Sequence, residues 1–318
     1  MTTEVRLVQP PDVCVVGEIN CDLVLYGLPR LEPERELLAE GIRLTLGSSS
    51  AIFAHNLSAL GTRAGIVARA GDDPLGKVAV ERLSEGGVDV SRVVKSNRTL
   101  TGLTVILAQA GQRYILTYPG TMFEFCYEDI DLEYVFLARH LHLSSFFLHR
   151  ALRPKIATLF RRAKEKGLTT SLDTNDDPEG LWASDLLEVL PFVDIFLPNG
   201  REAMAIAGTH DLAGAIQELA KLSRIVVIKL GGEGAVAREG SKEWRCAGVG
   251  VTPVDAIGAG DSFNAGFIHR FLAGANLDEC LASANVAGAF STTREGGTEA
   301  FRDRENMARF FREHRRTP

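Results

Sequence analysis

The segment Asp255-Ala256-Ile257-Gly258-Ala259-Gly260-Asp261 carries the most chemical information in this chain. Two glycines separated by an alanine stand where a loop turns into a helix. Small residues leave backbone N–H groups facing outward without Cβ obstruction. A helix N-terminus adds partial positive charge, so the turn suits a phosphate. Asp261 then falls in the first helical turn, beside the anion. A carboxylate repels phosphate, so its use there is to take a proton from a hydroxyl that attacks the phosphate. The same spacing fits an aspartate that caps a helix after a Gly-rich loop. The segment alone leaves both readings open.

Other segments carry groups that such a reaction needs. In Gly17-Glu18-Ile19-Asn20-Cys21-Asp22, Asn20 and Asp22 follow an apolar run. Such a pair is usually a turn, and a carboxylate also suits vicinal hydroxyls. Pro198-Asn199-Gly200-Arg201-Glu202 has the spacing of a helix capping box. Gly231 and Gly234 let a backbone approach a ligand, or turn between strands. Lys229 ends the preceding apolar run and reaches either a phosphate or solvent. The serines of Gly47-Ser48-Ser49-Ser50 bind hydroxyls or cap the following helix.

An α/β framework is expected to hold these groups. Short apolar runs alternate with helical patterns, the mark of a doubly wound, mostly parallel sheet with helices on both faces. Strands are expected at Val13–Val16, Gly65–Arg69, Leu141–Leu143, Thr170–Asp173, Ile195–Leu197 and Ile225–Leu230. Helices are expected at Ala51–Leu60, Leu75–Glu85, Lys155–Lys166 (opened by Pro154), Leu277–Thr292 and Asp303–Arg315. After Gly258 the pattern is helical, with Ala259, Phe263, Phe267 and Phe271 every four residues. Ligands of such sheets sit beyond the carboxyl ends of the strands. Leu23–Leu46 and Leu103–Thr117 break the rhythm with short β-type runs and turns at Gly27-Leu28-Pro29 and Gly111-Gln112. They are expected as antiparallel strands of a small sheet, a lid over about 23–46 and 103–117. No repeat or Pro- or Ser-rich linker divides the chain, so residues 1–318 are expected to form a single domain.

Lys plus Arg is 35 against 41 Asp plus Glu, a net charge of −6. No basic excess exists to displace counterions, which argues against a nucleic-acid partner. With 45% hydrophobic and 24% charged residues the chain is an ordinary folded protein. No apolar run nears the ~20 residues of a membrane span, and Met1 to Pro11 has no signal-peptide pattern. Five scattered cysteines, at 14, 21, 126, 246 and 280, form no C-x-x-C pair. That suggests neither zinc nor disulfides, and a cytoplasmic protein. His140 and His142 alternate along one expected strand; no third ligand follows at metal spacing, so they are read as packing or surface residues.

The stretch Asp255 to Asp261, with Ser262-Phe263-Asn264-Ala265-Gly266-Phe267 behind it, resembles the D-T-x-G-A-G-D signature of the ribokinase-like (PfkB) carbohydrate kinases. The segments above match that family in order, from about Val13 to Thr298. The resemblance implies a ribokinase-like fold and ATP-dependent phosphorylation of a sugar or sugar-like hydroxyl. It implies Asp261 as base, with the N–H groups of Gly258, Ala259 and Gly260 as anion hole. It implies Glu202 holding magnesium through water, with Asn199 near the nucleotide phosphates. Lys229, Gly231 and Gly234 would form the nucleotide turn, and Asn285 would lie on the adenine helix. Asn20, Asp22, Gly47, Ser48, Ser49 and Asn175 would bind the acceptor. Thr104, Ile106 and Tyr118 of the lid would exclude water. Relatives hold a monovalent cation near Asp255; Ala256 replaces the usual Thr here, which leaves use of K+ open.

Two departures bear on the acceptor. Ser48 replaces a second Gly, and Ile52 stands where ribokinases have an Asn. An apolar side chain supplies no amide hydrogen bonds, so an acceptor unlike that of a typical ribokinase is expected. In Asp173-Thr174-Asn175-Asp176-Asp177-Pro178, Asp177 replaces the Arg of D-x-N-x-R. Loss of that charge argues against a phosphorylated or carboxylated sugar. Asp176 and Asp177, if they face the pocket, favour a neutral polyol or an amine-bearing substrate. One alternative is a nucleoside kinase with Ile52 and Phe53 lining a base pocket; another is a silent ligand-binding protein. The open edge of the lid suggests a homodimer.

Overall fold

The computed structural model describes residues 10–109, 112–182 and 184–314. Its centre is Val13–Val16 (β1), four buried residues. Side chains alternate across a strand. Cys14 and Val16 join one core with Leu141, Leu143 and Phe160, while Val13 and Val15 join another with Phe53, Ile66 and Phe267. A strand covered on both faces needs no polar alternation, which is why β1 reads as a continuous apolar run.

The main sheet also contains Ala64–Gly71 (β4), Asp89–Ser96 (β5), His140–Leu143 (β8), Thr169–Leu172 (β9), Ile195–Phe196 (β10), Ile225–Lys229 (β11), Ala235–Glu239 (β12) and Lys242–Cys246 (β13). The smaller sheet is built from Asn20–Tyr26 (β2), Gly41–Gly47 (β3), Gly102–Gln109 (β6) and Gln112–Tyr118 (β7). The nine-stranded order is β13-β12-β11-β10-β9-β8-β1-β4-β5. From β5 to β11 every neighbouring pair is parallel; β12 and β13 add an antiparallel hairpin. That hairpin and β5 lie outside the expected strands. β5 is half exposed, with polar residues among its valines, and lacks the apolar run that marks the buried strands.

Helices cover the sheet: Ser49–Ala59 (α1), Pro74–Glu85 (α2), Leu132–Val135 (α3), Ile156–Glu165 (α4), Ser184–Val189 (α5), Gly200–Ala207 (α6), Leu212–Leu219 (α7), Ala259–Leu272 (α8), Leu277–Ser291 (α9), Glu299–Arg302 (α10) and Arg304–Glu313 (α11). Pro154 sits in a 3₁₀ turn over Arg153–Lys155 rather than in α4. Arg315 of the expected terminal helix lies outside the described residues, as does Gly111 of the expected lid turn.

The small sheet runs β3-β2-β6-β7. It is mixed rather than antiparallel throughout, because β2 and β6 are parallel. Its register divides its side chains cleanly. Asp22, Thr104 and Thr117 lie in one row and Val24, Ile106 and Ile115 in the next, all on the face toward the main sheet. Leu23, Leu44, Val105 and Leu116 share the opposite face, as do Leu25, Ile42, Leu107 and Tyr114. Tyr118, paired with Leu103, belongs to that outer face and so is not a residue that closes the site.

Candidate active site

The carboxyl ends of β1, β8, β9, β10 and β11 lie at one edge of the main sheet. Together with the first turns of α1 and α8 and the inner face of the small sheet they enclose a cleft of about 610 Å³. It is bordered by Asn20, Asp22, Ser48, Ser49, Asn175, Asn199, Glu202, Lys229, Gly231, Gly258, Ala259, Gly260 and Asp261. Most of the residues expected at a site therefore meet in one place.

The turn before α8 has the geometry its composition suggests. Gly258 has φ +69°, and a Cβ there would press on Gly297 Cα at 2.7 Å and Ile52 Cγ2 at 3.0 Å. Ile52 thus supports the turn from below as well as bordering the cleft. Ser262 locks the turn by donating from N and Oγ to the Gly258 carbonyl at 2.9 and 2.7 Å. The Ala259 amide makes only a long bond, to the Ala256 carbonyl at 3.4 Å, and the residues that open the helix border the cleft, where free first-turn amides would serve as donors.

Asp261 is buried, and its carboxyl is pushed up to about 7. Burial is the main cause, with the charge of Asp173 next; Lys229 and a hydrogen bond with Ser49 pull the other way. A carboxylate so tuned can accept a proton near neutral pH. Asp22 is also pushed to about 7, by burial and then by Asp261 and Asp255.

Lys229 reaches Asp173 Oδ2 at 2.6 Å, and Asn264 donates to the same oxygen. Burial alone would lower the lysine, but Asp173 and Glu202 hold it above its ordinary range. Asn199 and Glu202 form the expected capping box: each backbone N–H donates to the other's side chain at 2.9 Å. Capping does not remove Glu202 from the cleft. Burial, then Asp173, pushes its carboxyl up.

On the opposite wall, Asn20 donates to Thr104 Oγ1 at 3.4 Å, and Thr104 meets Thr117 at 3.2 Å. Asn20 Oδ1 is buried without a protein partner. A buried acceptor in that state marks a place for an outside donor such as a hydroxyl.

Besides Tyr118, four residues expected at the site do not border the cleft. Gly47 lies behind Asp22, where any Cβ would overlap that carboxylate. Gly234, at φ +103°, passes against the backbone of Cys246 to Gly248. Asn285 holds that same turn, donating to the carbonyls of Cys246 and Ala247 at 3.0 and 3.1 Å. Asp255 accepts from Ile257 N, Gly296 N and the Tyr26 hydroxyl at 2.9, 3.0 and 3.1 Å.

Asp177 does not face the cleft, so it lends no preference for a neutral polyol or an amine. Its carboxylate turns into its own loop and accepts from the N–H groups of Glu179, Leu181 and Trp182. Asp176 borders the cleft but pairs with Arg201. Arg113 of β7 brings a positive charge to the cleft. Phe53 is buried and stacks on His142 at 3.7 Å, so it lines no base pocket. His140 and His142 are packing residues, bonded to Thr169, Ser171 and Ser144.

Sequence reasoning assigned no role to Asp173, Ser145, Arg113 or Glu18, all of which border the cleft. The available signal was weak: Glu18 is a lone acid beside an apolar run, and Asp173 opens a polar one.

The profile of the pfkB family carbohydrate kinases matches residues 10–304. The chain is 31% identical over 294 residues to an ATP-dependent ribose-1-phosphate kinase of Halopiger xanaduensis, covering 91% of this chain and 94% of that one. The structure of Arabidopsis thaliana ribokinase complexed with ribose and ATP superposes with a TM-score of 0.83 at 25% identity, over 97% of this chain and 100% of that one. A ribokinase II of E. coli in complex with ATP and Mg2+ gives 0.84 at 23%, over 96% and 100%. Since the match runs nearly end to end and residues 256–261 of the signature border one cleft at the strand ends, this chain belongs to the pfkB family of carbohydrate kinases.

Proposed function

We propose that this kinase transfers the γ-phosphoryl group of ATP to a hydroxyl of a sugar or sugar-like acceptor, with Asp261 as the base. The observation that carries the reading is Asp261: a buried carboxyl held near 7, at the opening of a helix whose first amides face the same cleft. Asp261 takes the acceptor's proton, and the N–H groups of Gly258, Ala259 and Gly260 face the charge that develops on the phosphoryl oxygens. Lys229 adds an ammonium beside Gly260. Asn20 and Asp22, with Ser48, Ser49 and Asn175, orient the acceptor; the free Asn20 Oδ1 supports this.

Among the described residues no three acidic, histidine or cysteine side chains converge as a metal cage. Yet Asp173, Glu202 and Asp261 share the ammonium of Lys229, and this excess negative charge fits a divalent cation. Magnesium would supply charge compensation on the phosphates when bound, and Glu202 would hold it through water. A monovalent cation fits less well. Both oxygens of Asp255 already accept from protein donors, so no step is assigned to K+.

The small sheet acts as lid to one catalytic domain, with Thr104 and Ile106 on its inner face excluding water. Its outer face is apolar, with Ile42, Tyr114, Leu116 and Tyr118 exposed. Exposed apolar side chains gathered on one face suit an interface, which supports a homodimer through the lid. No helix among the described residues is long and apolar enough to cross a membrane. The five cysteines are free thiols, which supports a cytoplasmic location.

The test is an ADP-release assay with Mg-ATP against free sugars, phosphorylated sugars, polyols and nucleosides, with Asp261→Asn as control. Turnover on a sugar that the variant abolishes upholds the reading. Turnover on nucleosides alone, or a fully active variant, overturns it. Phosphorylated sugars belong in the panel because Arg113 offers their charge a partner.

A further inference from the structure

We propose that Glu18 is a positioning residue of the acceptor subsite, tying the ends of β1 and β8 to the first turn of α1. The proposal rests on the reading of that subsite given above. Glu18 is 1% exposed, yet its carboxylate is fully engaged. Oε1 accepts from Ser145 Oγ at 2.8 Å and from Ser50 N at 3.2 Å. Oε2 accepts from Ser50 Oγ at 2.7 Å and from His149 Nε2 at 3.0 Å. His149 Nε2 also faces the Ser144 carbonyl at 3.1 Å, so that nitrogen carries the proton. Gly17 is bare where a Cβ would overlap Ser50, which lets the serine reach the carboxylate.

Three residues around this hub hold backbone conformations that non-glycine residues rarely adopt: Ser48, Ser145 and Asn175, at φ 66°, 56° and 54°. All three border the cleft. Such conformations persist only where the surroundings over-determine them. Glu18 supplies the surroundings. Its carbonyl accepts from Ser48 Oγ at 2.8 Å and its carboxylate from Ser145. Asn175 Nδ2 then donates to Ser145 Oγ at 3.0 Å and to Ser49 Oγ. Ser49 in turn hydrogen-bonds Asp261. One buried carboxylate thereby sets the wall that faces the acceptor and steadies the serine beside the base. Burial pushes the Glu18 carboxyl up, but His149, Ser50 and Ser145 outweigh it and hold it below its ordinary range. It therefore stays ionised as an acceptor. A purely apolar core would have no use for such a charge.

Glu18→Gln keeps the size and removes the charge, and two measurements decide the matter. In the ADP-release assay, KM for the sugar that wild type phosphorylates rises about tenfold or more, because groups positioned for its hydroxyls are displaced. KM for ATP stays within about twofold, since the nucleotide side is untouched. Hydrogen exchange needs no acceptor: it accelerates in residues 48–50, 144–149 and 173–176 and stays unchanged in α8 and α9. An unchanged sugar KM, or exchange that rises evenly along the chain, overturns the proposal. If wild type turns over no sugar, the acceptor reading fails and exchange alone decides the role of Glu18. Should Glu18→Gln not fold, Ser145→Ala removes one arm of the hub and carries both measurements.

Discussion

Lys229 and Asp173 form a buried ion pair between the ends of β11 and β9, Nζ to Oδ2 at 2.6 Å, beneath the turn that opens α8. Both residues border the cleft, and in the proposed reaction Lys229 would face the transferring phosphoryl group. Lys229→Met leaves Asp173 uncompensated beside Glu202 and Asp261. Breaking a buried pair costs about 3–5 kcal/mol, so the melting temperature falls. Turnover falls about 100-fold with the loss of a fixed positive charge. The double variant Lys229→Met/Asp173→Leu recovers stability but not turnover. Recovery of both in the double variant would deny Lys229 a part in the reaction.

The pH profile of kcat/KM should show an acid limb centred near 7, where Asp261 titrates. The base works only when ionised, so the rate falls as pH drops through that value and levels off above it. Asp261→Asn lowers kcat by about 10²–10⁴-fold and leaves ATP affinity, read by calorimetry, in place. A profile flat from pH 5 to 8 would remove Asp261 from the role.

Asp22 offers a stability test of the same electrostatics. Its carboxyl titrates near 7 in the folded protein and near 3.9 unfolded. Between those values the folded state holds a proton that the unfolded chain releases, so wild-type stability declines as pH rises through the window. Asp22→Asn has no such ionisation. Its gain in melting temperature over wild type is smallest at pH 4, grows toward pH 7 and then levels off. A gain that is largest at pH 4 would contradict the burial argument.

Tyr26 donates to Asp255 at 3.1 Å, and the hydroxyl stands on the small sheet while the carboxylate stands on the turn before α8. With that carboxylate engaged, replacing K+ by tetramethylammonium leaves turnover unchanged. Activity that appears only on adding K+ would show that the contact yields to an ion.

The proposed dimer would form through the outer face of the small sheet. Ile42 and Leu116 are 70% and 57% exposed on it. In light scattering at micromolar concentration, wild type has the mass of a dimer and Ile42→Glu/Leu116→Glu that of a monomer. A monomeric wild type would refute the interface.

The chemistry legible in the sequence was local chemistry. Gly258, Gly260 and Asp261 belong to one turn and one helix opening, so their types and spacing determine their geometry. The same holds for Asn199 and Glu202, whose capping box closes within four residues, and for Lys229 at a strand end. β1, β4 and β11 were legible because strands covered on both faces favour apolar runs. The half-exposed β5 and the hairpin β12–β13 carry no such run.

What only the tertiary structure decided was the direction in which side chains point. Asp177, next to residues of the cleft, turns into its own loop because three nearby N–H groups draw it there. Ile52 and Phe53 are neighbours, yet one borders the cleft and the other fills the core. Glu18 meets Ser145 across 127 residues, and Tyr26 meets Asp255 across 229. Contacts of that range leave no periodicity or spacing in the chain. They arise when the parallel sheet brings its strand ends to one edge and the lid folds over them. The turn before α8 could therefore be read from its own residues, and the contacts that join Glu18, Ser145 and Asn175 could not.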